Sequence, residues 1–244
     1  MSGHSKWASI KHKKGATDAK RGKIFTKMAS EITLAAREGA DPDMNFKLRL
    51  AVQKAKANNV PAVNIERAIA KGSGASGGAA LEELTYEGYG PAGVAIMARA
   101  LTDNRNRTGP DVRSTFTKHG GNLGATGSVD YLFEQKGVIV CKADANKDEA
   151  ELAAIDAGAT DIDDSEDQVV IYTSPADLES IKDVLGSMVE SADVEMKASQ
   201  TILVDDEKKA QTLLRLIDAL DDLDDIISIT SNYDIPDEIL NVME

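Results

Sequence analysis

His4, Lys6, Lys11, His12, Lys13, Lys14, Lys20, Arg21, Lys23 and Lys27 set positive or protonatable groups at close intervals along the start of the chain, with Asp18 the lone acid among them. Cations spaced this way neutralise successive phosphates of a polyanion and release its condensed counterions. Affinity of that origin carries no sequence information. Trp7 is the only tryptophan; an aromatic face among cations can stack on an unpaired base, or it can anchor packing instead. A second basic island, Arg105, Arg107 and Arg113, lies further along. Two readings of it stay open: phosphate contacts at a helix N-terminus, where backbone N–H groups already favour anions, or a capped loop whose arginines pair with nearby carboxylates.

Chemistry of other kinds finds little footing. The three histidines, His4, His12 and His119, lack the i, i+4 spacing of a helical zinc site. Gly72, Gly74 and Gly77 match G-x-G-x-x-G, and Gly74, Ser76 and Gly78 match G-x-S-x-G. Both motifs work only between a preceding strand and a following helix, whereas here a helix precedes and a strand follows. The acidic runs 161–167 and 221–225 lack the alternating ligands and central glycine of a calcium loop and read as solvated faces. The expectation is no enzyme, no cofactor and no metal.

The charge balance supports the first reading. The 244 residues carry 28 basic and 41 acidic side chains, a net charge of −13, which alone argues against a polyanion partner. The distribution reverses that argument: residues 1–78 hold 15 basic against 6 acidic side chains, leaving 13 against 35 for the remainder. A basic arm on an acidic, soluble body is the pattern of a polyanion binder. The single cysteine, Cys141, excludes an internal disulfide framework and suits a reducing compartment. With no apolar leader and no membrane-length apolar run, the expected location is cytoplasmic. A monomer is favoured.

The elements that must position these residues follow from period and punctuation. Ile24, Met28, Ile32 and Ala35 form one stripe of a helix running from Thr17 or Asp18 to about Glu38. A second helix is expected from Asp41-Pro42 and a third from Pro61 to Gly72. The Gly/Ser/Ala stretch 72–80 reads as a linker. Beyond it come strands over 84–89 and 94–101, with a turn at Gly90-Pro91-Ala92-Gly93, and a helix capped by Thr108. Residues 137–202 then follow the order β-α-β-β-α-β of a ferredoxin-like unit. A last helix (206–220) and strand (226–230) are surplus to that unit. They complete the earlier sheet, which otherwise keeps one face uncovered. The fold class is therefore α+β and multidomain: an N-terminal three-helix domain (1–78), a discontinuous middle α/β sandwich domain (79–133 plus 205–244), and an inserted ferredoxin-like domain (134–204).

Gly3-His4-Ser5-Lys6-Trp7, Ile10-Lys11-His12-Lys13-Lys14 and Asp18 to Lys27 resemble the YebC/PmpR family. The likeness continues through Tyr86-Glu87-Gly88-Tyr89-Gly90-Pro91, Thr102 to Thr108 and Gly120-Gly121-Asn122-Leu123-Gly124. Ser30 departs from it, standing where many relatives carry arginine. The resemblance implies a helical domain and two α/β domains, one interrupting the other. It also implies a regulator of gene expression, described for bacterial members as a DNA-binding transcriptional regulator. The alternative it carries is a ribosome-associated, rRNA-binding translation factor. The basic arm does not separate DNA from ribosomal RNA, because phosphate contacts are common to both.

Overall fold

A computed structural model describes residues 18–75, 81–164 and 168–242. The chain falls into two compact units, one formed by Phe133–Ser199 and the other by the residues flanking it in sequence.

The flanking unit begins with α1 (Asp18–Ala35), α2 (Phe46–Ala57) and α3 (Ala62–Gly72). Met28 and Ile32 of α1 meet Leu48, Val52 and Ala55 of α2 and Ile65 and Ala68 of α3 in a shared core. α2 starts later than Asp41-Pro42 suggests, because Asn45 takes the capping role. Its side-chain oxygen accepts the Leu48 N–H at 3.1 Å, and its amide donates to the Ala35 and Gly39 carbonyls, each at 2.8 Å. One side chain thus starts α2 and ties it to the end of α1. Gly72 is a packed residue as well as the end of α3. A Cβ there would stand 2.2 Å from the Thr33 carbonyl oxygen, so the close approach of α1 and α3 requires glycine.

β1 (Glu82–Tyr89) and β2 (Ala95–Thr102) pair antiparallel from Glu82↔Thr102 to Tyr89↔Ala95. Val94, Ile96, Ala98 and Ala100 enter one core while Ala95, Met97 and Leu101 are buried on the opposite face. This explains the continuous apolar run of β2. α4 (Arg105–Lys118) is capped by Asn104, whose side chain accepts the N–H groups of Asn106 and Arg107. The expected cap, Thr108, is instead a buried helical residue. Its hydroxyl donates to Asp225 at 2.6 Å, a partner 117 residues away that no local pattern reveals. β3 (Asn122–Leu123) then pairs with the end of β1.

The interrupting unit runs β4 (Phe133–Cys141), α5 (Lys147–Asp156), β5 (Asp161–Asp163), β6 (Val170–Thr173), α6 (Leu178–Leu185) and β7 (Val189–Ala198). Its antiparallel sheet has the order β5-β6-β4-β7, the ferredoxin-like arrangement. Ile139 and Ile171, cross-strand partners, are buried, as are Ala150 and Ala154 of α5 and Leu178, Ile181 and Leu185 of α6. β7 starts at Val189, directly after the short 3-10 turn at Gly186–Met188 that ends α6.

The chain returns through β8 (Ile202–Leu203), α7 (Glu207–Asp221), β9 (Ile226–Ser231), β10 (Tyr233–Asp234) and α8 (Asp237–Val242). β9 joins β2, giving the sheet order β3-β1-β2-β9. Leu213, Leu216, Ile217 and Leu220 of α7 pack with Val112 and Phe116 of α4 over its inner face. The surplus helix and strand therefore do complete the earlier sheet. β8 and β10 form a separate parallel pair. Among the described residues no helix is long and apolar enough to cross a membrane.

Candidate nucleic-acid interface

Lys23 and Lys27 lie one turn apart on α1, so they share a face. That face meets the acidic end of α7. The Lys23 ammonium donates to Asp222 at 2.8 Å, an exposed pair, and Lys27 donates to Asp221, with Lys27 itself largely buried. The acidic run 221–225 is thus more than the solvated face its composition suggests: it contacts α1 at one end and α4 at the other.

At the α4 end, Asp225 gathers three donors. The Thr108 hydroxyl reaches it at 2.6 Å, Thr102 at 3.2 Å and the Arg107 guanidinium at 3.0 Å. Arg107 also reaches Asp103 at 3.3 Å. The hydrogen bond and charge of Asp225, reinforced by Asp103, raise the Arg107 guanidinium above its usual value. Arg105 faces Glu82 at 3.6 Å. Arg105 and Arg107 therefore occupy the first turn of α4 in contact with carboxylates, which is the geometry of the second reading of that island. Such exposed pairs are weak and do not preclude exchange with another anion.

Two matches place the chain among known proteins. A model described as the TACO1/YebC protein N-terminal domain matches residues 5–75, and one described as the TACO1/YebC second and third domain matches residues 81–233. The chain belongs to the TACO1/YebC family. A relative from Chloroflexus aurantiacus is 52% identical, covering 98% of each chain, and one from Geotalea uraniireducens is 49% identical over the whole of both. Each is named a probable transcriptional regulatory protein. The crystal structure of a conserved hypothetical protein from Aquifex aeolicus superposes with a TM-score of 0.83 at 47% identity, covering 91% of this chain and 94% of that one.

The family's N-terminal match spans most of the basic segment. Of the residues assigned there from sequence, His4, Lys6, Trp7, Lys11, His12, Lys13 and Lys14 lie outside the described residues. For Lys20 and Arg21 only the helical backbone is described. Ser76, Gly77 and Gly78 of the glycine-rich motifs also lie outside. Among the described residues no cluster of His, Cys, Asp or Glu is arranged to hold a metal ion. Cys141 is buried, and burial pushes its thiol pKa up, so it stays a neutral core residue.

The second match spans Arg113, the third member of the second basic island, together with two features that sequence reasoning missed, Lys118 and the groove beside it. Arg113 and Lys118 project from the exposed side of α4, and neither forms an ion pair with a described residue. Beside them is a groove of about 560 Å³ between α4 and the β1–β3 edge, lined by Tyr86, Pro110, Ser114 and Leu123. The helical spacing of Arg113, Ser114, Thr117 and Lys118 was the available signal. Glu87 was also missed. Almost fully buried, its carboxylate accepts the N–H groups of Gly127, Val129 and Asp130 at 2.7, 2.8 and 3.0 Å. Burial alone would raise its pKa, but these bonds together with Ser128 outweigh burial and hold it below the usual value.

Proposed function

We propose that this chain is a non-enzymatic, nucleic-acid-binding regulator of gene expression, a DNA-binding transcriptional regulator that acts as a cytoplasmic monomer. The observation that carries the reading is charge segregation: 15 basic against 6 acidic side chains in residues 1–78, with 13 against 35 in the rest. Relatives matched end to end and named probable transcriptional regulatory proteins favour transcription and DNA. His4, Lys6, Trp7, Lys11, His12, Lys13, Lys14, Lys20 and Arg21 form the primary contact. Lys23 and Lys27 extend it along α1 by exchanging Asp222 and Asp221 for phosphates. Arg105 and Arg107 supply a weaker secondary contact. The acidic remainder repels the polyanion and so confines it to the arm.

A second reading, a translation factor bound to ribosomal RNA, draws on α3. The exposed residues of that helix are few and mixed: Ala62, Val63, Glu66, Arg67 and Lys71. A recognition helix reads base edges with polar side chains in the major groove, and Glu66 beside the phosphates would oppose such docking. Sedimentation of cell lysate separates the two. Fast-sedimenting protein released by DNase supports the DNA reading. Comigration with ribosomes that survives DNase and is lost on RNase treatment overturns it in favour of ribosomal RNA.

A further inference from the structure

The sheet keeps an open edge beside α4. β3 covers β1 only at Gly88 and Tyr89, and the Gly124 N–H adds a single bond to the Glu87 carbonyl at 2.8 Å. In an antiparallel pair, main-chain groups of alternate residues point to opposite edges. The N–H and C=O groups of Glu83 and Thr85 therefore point the same way as the Glu87 carbonyl, away from β2. Among the described residues nothing pairs with them. An unpaired edge is a template for another strand unless it is guarded by charge. The charges here are already neutralised: Glu82 faces Arg105 at 3.6 Å and Glu83 faces Arg99 at 2.6 Å.

The edge borders the groove of about 560 Å³ whose floor is Tyr86 and Leu123 and whose wall is α4. That volume lies within the usual range for ligand pockets. On the wall stand Arg113 and Lys118, exposed and without a described carboxylate partner. Open backbone donors and acceptors, an apolar floor and two unneutralised cations thus lie side by side.

We propose that β1 takes up an extended segment of another protein by strand addition, with its main chain on Glu83 and Thr85. One side chain facing α4 is apolar and rests on Tyr86 and Leu123; the next on that face is acidic and meets Arg113 and Lys118. Main-chain bonds supply affinity and the groove supplies side-chain selection. A nucleic-acid strand is the poorer occupant. It makes no use of a strand edge, and Tyr86, the only aromatic lining the groove among the described residues, is half-buried against the core and gives little face for stacking. The proposal is independent of the nucleic-acid reading of the N-terminal segment.

The test uses the full chain and a fluorescein-labelled peptide of Val-Thr-Glu-Thr repeats, in which valine and glutamate succeed one another on one face of the strand, followed by anisotropy and amide hydrogen exchange. The expected result is saturable binding with slowed exchange at the Thr85 amide. Combined Arg113→Glu and Lys118→Glu weakens binding at least about tenfold, as does N-methylation of every second peptide residue. Thr85→Pro removes one edge donor where proline is tolerated, so it weakens binding equally without lowering the melting temperature. Absence of saturable binding at millimolar peptide overturns the proposal, as does equal affinity for the N-methylated peptide. Oligouridylate that binds through Arg113 and Lys118 while leaving Thr85 exchange unchanged also overturns it, and makes the groove a nucleic-acid contact.

Discussion

The Lys23 ammonium lies 2.8 Å from the Asp222 carboxylate across 199 residues of sequence, and one helical turn on Lys27 meets Asp221. On the proposed mode of binding, phosphates would take the places of these carboxylates on α1, and a polyanion would have to displace them. Combined Asp221→Asn and Asp222→Asn should therefore tighten duplex binding. The exposed Lys23–Asp222 pair is worth up to about 1 kcal/mol, equivalent to a gain of up to about fivefold, and release of the half-buried Lys27 acts in the same direction. Anisotropy titration at fixed salt measures it. An unchanged or weakened affinity shows that Lys23 and Lys27 take no part in binding.

Much of this architecture is legible in the sequence, because local periodicity decides it. The Ile24, Met28, Ile32 stripe marks the buried side of α1, and the β-α-β-β-α-β order marks the interrupting unit. What was not legible depends on partners far away in sequence. Asn45 outcompetes Asp41-Pro42 as a cap because it also reaches the Ala35 and Gly39 carbonyls. Thr108 has the composition of a cap but is held by Asp225, leaving Asn104 to start α4. The acidic run 221–225 looks like a solvated face until α1 and α4 are placed against it. The groove beside Arg113 arises only where β1, β3 and α4 meet, so no one segment announces it.

Gly72→Ala tests the packing of α3 on α1. In an exposed helix this change stabilises by about 1 kcal/mol. Here the new Cβ would stand 2.2 Å from the Thr33 carbonyl oxygen, a backbone atom that cannot rotate away. The helices must separate, and overpacking of this kind costs about 1–3 kcal/mol. Urea unfolding of the full chain should show a loss of stability. A gain would show that α1 and α3 do not approach so closely.

Glu87 predicts a pH dependence with a definite sign. Its folded pKa lies below the usual carboxylate value, so the unfolded state binds more protons in the interval between the two. Its contribution is complete above the unfolded pKa and is lost as pH falls through the folded one. Glu87→Gln removes that acid-limb slope and leaves a buried N–H short of an acceptor, at a cost of about 2 kcal/mol. Hydrogen exchange should quicken at Gly127, Val129 and Asp130, which the carboxylate now holds. Parallel pH–stability curves for variant and wild type would show that Glu87 does not carry this effect.

The strongest test of the N-terminal segment combines salt, charge reversal and a single aromatic. If Lys11, Lys13, Lys14, Lys20, Arg21 and Lys23 contact about six phosphates, log K should fall against log salt with a slope of roughly −5 on duplex DNA, and less steeply on a single strand. Lys13→Glu, Lys14→Glu and Lys23→Glu together should remove most binding. The core formed by Met28, Ile32, Leu48 and Ile65 contains none of these residues, so the melting temperature should hold. Trp7→Ala separates the templates, because stacking requires an unpaired base. It should weaken looped or single-stranded RNA more than duplex DNA if RNA is the ligand, and leave both nearly unchanged if the arm reads only duplex phosphates. Full affinity in the triple glutamate variant at low salt would place the binding surface elsewhere on the chain.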